Sequence, residues 1–297
     1  MTAHHDGTPA IARCRVVVLT FNCENIVAQT LAQARKIDPF PLVVDSFSTD
    51  GTMQQIGAQA EFVQREFRNY AEQRNWAIER LRSGTAWQLH LDADEVLDDR
   101  AVAAILAVLD AGEKASHRAY MLRRLDYFMG RRLGHSGLNP WHLRLFRSGH
   151  GACENRLYDQ HFVSDQPAAR LAGCMHDKNS VALSDWTARH NRWSDLEVAE
   201  MLRGDSVEPR PGILQARLGG DPRQRTRWLK GIYYQLPAGL RATAYFVYRY
   251  LFRLGFLDGR EGLYFAFLQG LWFRMLVDAK MQEARQARRR QAAAARR

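Results

Sequence analysis

The chain has 297 residues, of which 46% are hydrophobic, 25% charged and 10% aromatic. That balance supports a sizeable core and excludes disordered, collagen-like and disulfide-scaffold classes. The net charge of +10 is uneven: residues 223–297 hold 16 Lys/Arg against 4 Asp/Glu, a balance of +12, and the remainder 26 against 28, a balance of −2. A uniformly basic nucleic-acid binder is not built this way, and no recognition motif accompanies the basic tail, so no nucleic-acid partner is expected. Cys14, Cys23, Cys153 and Cys174 lack metal-knuckle or Cys-x-x-Cys spacing and read as structural thiols of a reducing compartment. Residues 1–13 lack a cationic stretch followed by an apolar core, so no secretory signal is expected.

Residues 15–20, with Val16, Val17, Val18 and Leu19, form a run suited to a buried strand. A polar turn, Asn22 to Asn25, precedes a helical pattern over 26–37 that Pro39 and Pro41 end. Residues 42–44 predict a second strand, and the polar loop Asp45-Ser46-Phe47-Ser48-Thr49-Asp50-Gly51-Thr52 leads into a helix over 53–60. A third strand is expected at 61–63, a helix at 70–81, a fourth strand at 86–91 and a helix at 99–109. Short alternating strands and helices predict a parallel sheet covered on both faces. Ligands bind such sheets at the carboxyl ends of the strands, where the clusters Asn22–Asn25, Asp45–Thr52 and Asp92–Glu95 should converge. Residues 120–124 and 142–147 alternate like strands, 184–202 read as a helix, and the Gly/Pro-rich 203–222 as a linker or ordered loop.

From 228 to 280, aromatic residues alternate with arginines, and the longest uncharged run, 262–273, has 12 residues. A spanning helix needs about 20. Amphipathic helices lying in an anionic membrane interface fit this composition better; a helical packing element of the main domain is the alternative.

Asp92 and Asp94 sit at i and i+2 where a strand leaves the sheet. Paired hard oxygens suit Mg²⁺ or Mn²⁺, which take one or two carboxylates plus substrate phosphate oxygens. An Asp-x-Asp by itself is equally the composition of a solvated turn. Asp45, ending its strand, is a candidate acceptor for a nucleotide base; the plain alternative is a loop of good turn formers. Arg144 and Arg147, read as sharing one strand face, are candidate contacts for a diphosphate or an acidic acceptor, or else a solvated face. His161 and His176 read as packing or phosphate contacts, because no second ligand stands at metal-site spacing.

Together, residues 17–25, 43–52, 71–77 and 89–95 resemble glycosyltransferase family 2, in order and in spacing, over residues 14 to about 200. Within the family the chain is most similar to the branch of lipopolysaccharide-core and exopolysaccharide β-glycosyltransferases. The resemblance implies the GT-A fold: α/β, Rossmann-like, with a mainly parallel sheet flanked by helices and here a C-terminal amphipathic, membrane-associating segment. The expected organisation is a catalytic domain over 14–202 (nucleotide-sugar half 14–112, acceptor half 113–202), a linker over 203–222 and a membrane-interface region over 223–297. The implied reaction is an inverting, metal-assisted transfer from a nucleoside-diphosphate sugar, most typically a UDP-sugar, to a saccharide or lipid-linked acceptor. The implied place is the cytoplasmic face of the bacterial inner membrane, peripheral or monotopic.

By the same resemblance Thr20, Asn22, Glu24, Asp45, Ser48, Asp50, Arg74, Asp92 and Ala93 line the donor pocket. Asp94, with Asp92, would hold the divalent cation. Asp159 or Glu154 would be the general base, Asp159 preferred. Ser46-Phe47 departs from the more usual Asp-Gly, and Asp159-Gln160-His161 from a His-Glu pair. Enzymatic activity requires that these carboxylates face the strand-end pocket and are not paired off with arginines so that no ion could enter. Two rival readings remain: a nucleotidyltransferase, whose Gly-rich phosphate loop is absent after Leu19, and a membrane-surface scaffold with a degenerate transferase domain.

Overall fold

The structure, a computed structural model, describes residues 12–178, 181–204 and 212–295. Residues 205–211 of the expected linker lie outside that range, as do residues 1–11, where a secretory signal was sought.

The first half alternates as expected, except for an additional short strand before the last helix: β1 (Ala12–Thr20), α1 (Val27–Ala34), β2 (Leu42–Asp45), α2 (Thr52–Ile56), β3 (Glu61–Gln64), α3 (Tyr70–Leu81), β4 (Thr85–Asp92), the additional β5 (Glu95–Leu97) and α4 (Asp99–Ala111). Asn69 caps α3 by accepting the Glu72 N–H, and Asp98 caps α4 by accepting the Ala101 N–H. β6 (Ala119–Phe128), β7 (Arg131–Arg132), β8 (Trp141–Arg147), β9 (Gly151–Cys153), β10 (Phe162–Ser164) and β11 (Ala168–Asp177) follow. The remainder is helical: α5 (Leu183–Gly204), α6 (Pro222–Gln235), α7 (Leu240–Val247), α8 (Gly259–Phe265) and α9 (Phe273–Ala294).

Among the described residues the strands form a nine-stranded sheet in the order β3-β2-β1-β4-β8-β6-β11-β5, with β7 on β6, and a two-stranded β10-β9 pair. The first four strands are parallel, and β8 then joins β4 antiparallel. This is the GT-A architecture, with its parallel half where the sequence expected it. The short β5, β7, β9 and β10, and the long β11, carry no distinctive alternation and escaped the sequence reading. Period-two alternation sends Val16 and Val18 into one core cluster with α1 and α4, and Val17, Leu42 and Val44 into another with Ala77 and Leu81 of α3. Both faces of the parallel half are therefore covered.

The chain segments divide into two units that interleave along the sequence. The first comprises Met1–Arg123, His142–Cys153 and Phe162–Met175; the second comprises Arg124–Trp141, Glu154–His161 and His176–Arg297. Within the second, α5 packs on α9, with Val198, Phe273, Val277 and Met281 buried between them.

Candidate active site

Register decides where the polar clusters go. Thr20 pairs with Asp45 across β1 and β2, and Leu19 pairs with Asp92 across β1 and β4. Three carboxyl ends thus lie level in the first unit. Asp45 is fully buried, which leaves its carboxylate dependent on local donors. Thr20 Oγ1 donates to it at 2.9 Å, the Ser48 N–H at 2.8 Å and Ser48 Oγ at 2.5 Å. The β1–α1 and β2–α2 loops are stitched together beyond that point. The Asn22 N–H donates to Ser48 Oγ, the Thr49 N–H to Asn22 Oδ1, the Glu24 N–H to Asp50, and the Gly51 N–H to Glu24 at 2.7 Å. Asn22 and Phe47 both adopt left-handed backbone conformations, φ 46° and 60°, and Phe47 stands exposed at this rim.

The end of β4 is an ion-pair cluster. Arg74 Nη2 donates to both Asp92 oxygens, at 2.8 and 3.0 Å, and Arg144 Nη2 donates to Asp92 Oδ2 at 3.1 Å and to Glu95. The Asp92 N–H reaches Glu95 Oε2 at 3.0 Å. Two guanidiniums and two carboxylates therefore compensate each other in a site where Arg74, Arg144 and Glu95 are all buried. Burial alone would lower the Arg74 pKa, but Asp92 above all raises it past its ordinary value. Tyr70 and Phe162 flank the Arg74 guanidinium at 5.3 and 5.2 Å. His90, on β4, is pushed down to about 3, chiefly by burial and then by Arg74 and Arg144, so it is neutral.

These contacts bear on the metal. The requirement that the carboxylates escape arginine pairing is not met by Asp92, whose two oxygens already accept three N–H···O bonds. Asp94 lies half-buried in the turn between β4 and β5, beside Ala93, whose carbonyl accepts the Thr30 hydroxyl at 2.6 Å. Among the described residues no group of three or more His, Cys, Asp or Glu side chains is placed to hold a metal ion. Mg²⁺ and Mn²⁺ need few protein ligands when substrate phosphates complete the shell. Asp92, clamped by Arg74 and Arg144, does not fit such an ion in this arrangement.

The arginines of β8 separate. Residues three apart on a strand point to opposite faces, which corrects the reading that Arg144 and Arg147 share one. Arg147 pairs with Trp87 in register, five residues before Asp92, so it stands about 16 Å from that carboxylate along the strand. Its guanidinium meets Glu113, with Nη1 to Oε2 at 2.8 Å.

Glu154, Asp159, His161 and His176 belong to the second unit. Glu154 is sealed: its carboxylate accepts the His161 N–H at 2.8 Å, the Leu214 N–H at 2.6 Å and both Nη atoms of Arg227. Asp159 keeps a side chain 36% exposed, on a left-handed backbone with φ 58°. Lys230 Nζ lies 3.3 Å from Asp159 and 2.8 Å from Glu197, and Arg274 reaches Glu197 at 3.2 Å. Burial raises the Asp159 pKa, but Lys230, His161, Arg227 and Arg156 outweigh it and hold the carboxyl well below the usual range. His161, 3.6 Å from Asp159, is pushed down to about 4, by burial first. A cavity of about 180 Å³ opens here, lined by Tyr158, Asp159, Glu197, Lys230 and Tyr234 among others. His176 is apart from this cluster, with Nδ1 2.8 Å from the Tyr127 hydroxyl.

Sequence reasoning placed Glu95 in the strand-end cluster without giving it a role, and missed Glu197, Arg227 and Lys230. The signal was helical spacing: Arg227, Lys230 and Tyr234 fall at i, i+3 and i+7 on α6, and Glu197 and Glu200 at i and i+3 on α5. Which face each helix would turn inward was not readable.

No curated protein sequence matches the chain. Among solved structures it is similar to Staphylococcus aureus TarS 1–349, with 14% identity, 91% of each chain covered and a TM-score of 0.39. It is also similar to glucosyl-3-phosphoglycerate synthase from Mycobacterium tuberculosis in complex with phosphoglyceric acid, with 13% identity, 67% of this chain and 82% of that one covered, and a TM-score of 0.42. The model of glycosyl transferase family 2 matches residues 15–163, half of the chain, including β1, the Asp45 loop, Arg74 and the Asp92–Glu95 turn. The strand-end site and this match agree, and the chain belongs to glycosyl transferase family 2.

Proposed function

We propose that the protein transfers a sugar from a nucleoside-diphosphate sugar, a UDP-sugar first, to a saccharide or lipid-linked acceptor, with inversion at the anomeric carbon. The observation that carries this reading is the register that sets Thr20, Asp45 and Asp92 level at three adjacent strand ends within a family 2 domain. Asp45, oriented by Thr20 and Ser48, is the acceptor for a base N–H. Arg74 and Arg144 fix Asp92 toward the ribose. A divalent cation, Mg²⁺ or Mn²⁺, on Asp94 would supply Lewis-acid stabilisation of the leaving diphosphate.

Inversion needs a base on the acceptor side. Asp159 fits and Glu154 does not, because Glu154 is sealed by Arg227 and two backbone donors, whereas Asp159 is reachable and ionised. As the acceptor hydroxyl oxygen bonds to the anomeric carbon, its proton passes to Asp159 and the carbon–oxygen bond to the diphosphate breaks, leaving its electron pair on phosphate oxygen. The basic, aromatic C-terminal quarter supports a place on the cytoplasmic face of the bacterial inner membrane and an acceptor of lipopolysaccharide or exopolysaccharide type.

A panel of sugar nucleotides, scored by thermal shift with and without Mn²⁺, tests the donor site. One nucleotide-sugar should raise the melting temperature more with metal than without. Asp94→Ala should then lower transfer about 100-fold or more. Full transfer by that variant at saturating donor would remove the metal role. The clamped Asp92 favours a second reading, a membrane-surface scaffold with a degenerate transferase domain; a panel with no binder at all would select it.

A further inference from the structure

α7 continues through a π-helical stretch, Tyr248–Phe252, and the chain reverses at Leu254, a left-handed residue with φ 58°. A short turn, Gly255–Asp258, then leads into α8, which runs through Ala266–Trp272 into α9. The two arms pack on each other through small or polar residues. Ala242, Ala266, Gly262 and Gly270 are buried, and Arg249 is fully buried. A Cβ added to Gly255 would meet the Arg249 carbonyl at 2.6 Å, and one added to Gly270 would meet the Phe246 Cα at 3.6 Å, so the arms approach each other closely at the backbone. Several inward polar groups are hydrogen-bonded. Arg249 Nε donates to the Ser136 carbonyl at 3.0 Å, and Asp258 accepts the N–H groups of Gly134, His135 and Ser136 at 3.0, 2.9 and 2.6 Å.

Phe265, Leu268, Trp272 and Phe273 pack inward, but the large apolar side chains at the reversal point outward. At the reversal, Leu251, Phe252, Leu254, Phe256 and Leu257 are all exposed, Phe252 by 77% and Leu257 by 52%. Tyr248 and Tyr264 flank this tip, and Arg260 is exposed beside it. Water-soluble surfaces rarely gather five large apolar side chains in seven residues. Close helix packing through small residues, with polar groups turned inward and apolar groups outward, is the arrangement that a hydrocarbon solvent rewards. No helix among the described residues is long and apolar enough to cross a membrane. The tip therefore matches a wedge that enters one leaflet.

The geometry points to residues 251–257 as a wedge that inserts into the acyl layer of an anionic bilayer, with tyrosines at the interface and the exposed Arg260, Arg285, Arg288, Arg289 and Arg290 against the lipid head groups. This rests on the membrane-surface reading above and adds to it the inserting segment. The exposed arginines of α8 and α9 supply the charge complementarity.

Vesicle flotation of the full chain tests the wedge, with phosphatidylcholine vesicles that contain or lack phosphatidylglycerol. The native chain should float with the anionic vesicles. Phe252→Glu/Leu257→Glu should bind at least tenfold more weakly while keeping its melting temperature, because both side chains are already exposed. Phe252→Trp should bind normally and be quenched by lipids brominated on the acyl chains. Native-like flotation of the double variant, or no quenching of Phe252→Trp, overturns the wedge. If neutralising Arg285, Arg288, Arg289 and Arg290 releases the chain while the tip variant still binds, the wedge fails and the membrane reading stands. If the native chain floats with no vesicle, both fail. Sedimentation velocity without lipid covers the remaining occupant: a dimer dissociated by Phe252→Glu would assign the tip to a contact between copies and overturn the wedge.

Discussion

Arg144 shows how one side chain sets the character of the strand-end site. Buried on β8, it answers Glu95 and Asp92 together, while Arg74 answers Asp92 from α3. Removing one member of a buried ion-pair cluster leaves an uncompensated charge, which costs about 3–5 kcal/mol. Arg144→Met should therefore destabilise the protein by that amount in urea unfolding, with Glu95 as the stranded charge. Pairing Arg144→Met with Glu95→Gln should recover most of the loss, a coupling that a double-mutant cycle measures. An unchanged midpoint in the single variant would show that the cluster adds nothing to stability. The chemistry follows from the same geometry: Asp92 is committed to arginines and is not placed to hold an ion.

Among elements, α5, α6 and α9 hold the loop that carries Asp159. Glu197 on α5 takes Lys230 of α6, Arg274 of α9 and the Tyr234 hydroxyl, and Lys230 passes the charge on to Asp159. Burial works against the Asp159 carboxylate, and Lys230 is the largest of the influences that hold it ionised. If Asp159 is the base, the acid limb of kcat/KM lies below the ordinary carboxylate pKa of about 3.9. Lys230→Met leaves burial unopposed by its largest partner and should move that limb to higher pH; Lys230→Arg should restore it. An acid limb unmoved by Lys230→Met would detach the helices from the base. The alternation of arginines and aromatics in the C-terminal quarter was legible as helical, and the absence of a spanning run was legible from its length. Which side chains face outward was not, because a helix sequence gives a face only relative to its neighbours.

At the scale of the whole molecule, acid is the sensitive direction. His90, His161 and His190 are held near 3, 4 and 4, each chiefly by burial, against about 6.5 when unfolded. Between those values the unfolded chain binds the extra protons, so stability falls as pH drops through 6.5 toward 4. The depressed carboxylates Asp159, Glu197 and Asp258 act further down: their contribution is complete above about pH 4 and is lost as pH falls toward their folded values. Urea midpoints should decline steadily from pH 7 to pH 5. A flat profile across that window would mean that these imidazoles are not held neutral.

By itself the sequence determined the strand–loop–helix order through α4 apart from the short β5, the positions of the polar clusters after strands, and the family. Those properties are local: they follow from short apolar runs, cap residues and motif spacing, which persist whatever the chain later packs against. Tertiary structure alone decided that β8 runs antiparallel beside β4, that Arg144 rather than Arg147 reaches Asp92, that Glu154 is sealed while Asp159 is reachable, and that the C-terminal hairpin turns the apolar side chains at its reversal outward. Each of these depends on register and facing between segments far apart in the chain, and a one-residue shift in a strand or a rotation of a helix would reverse it.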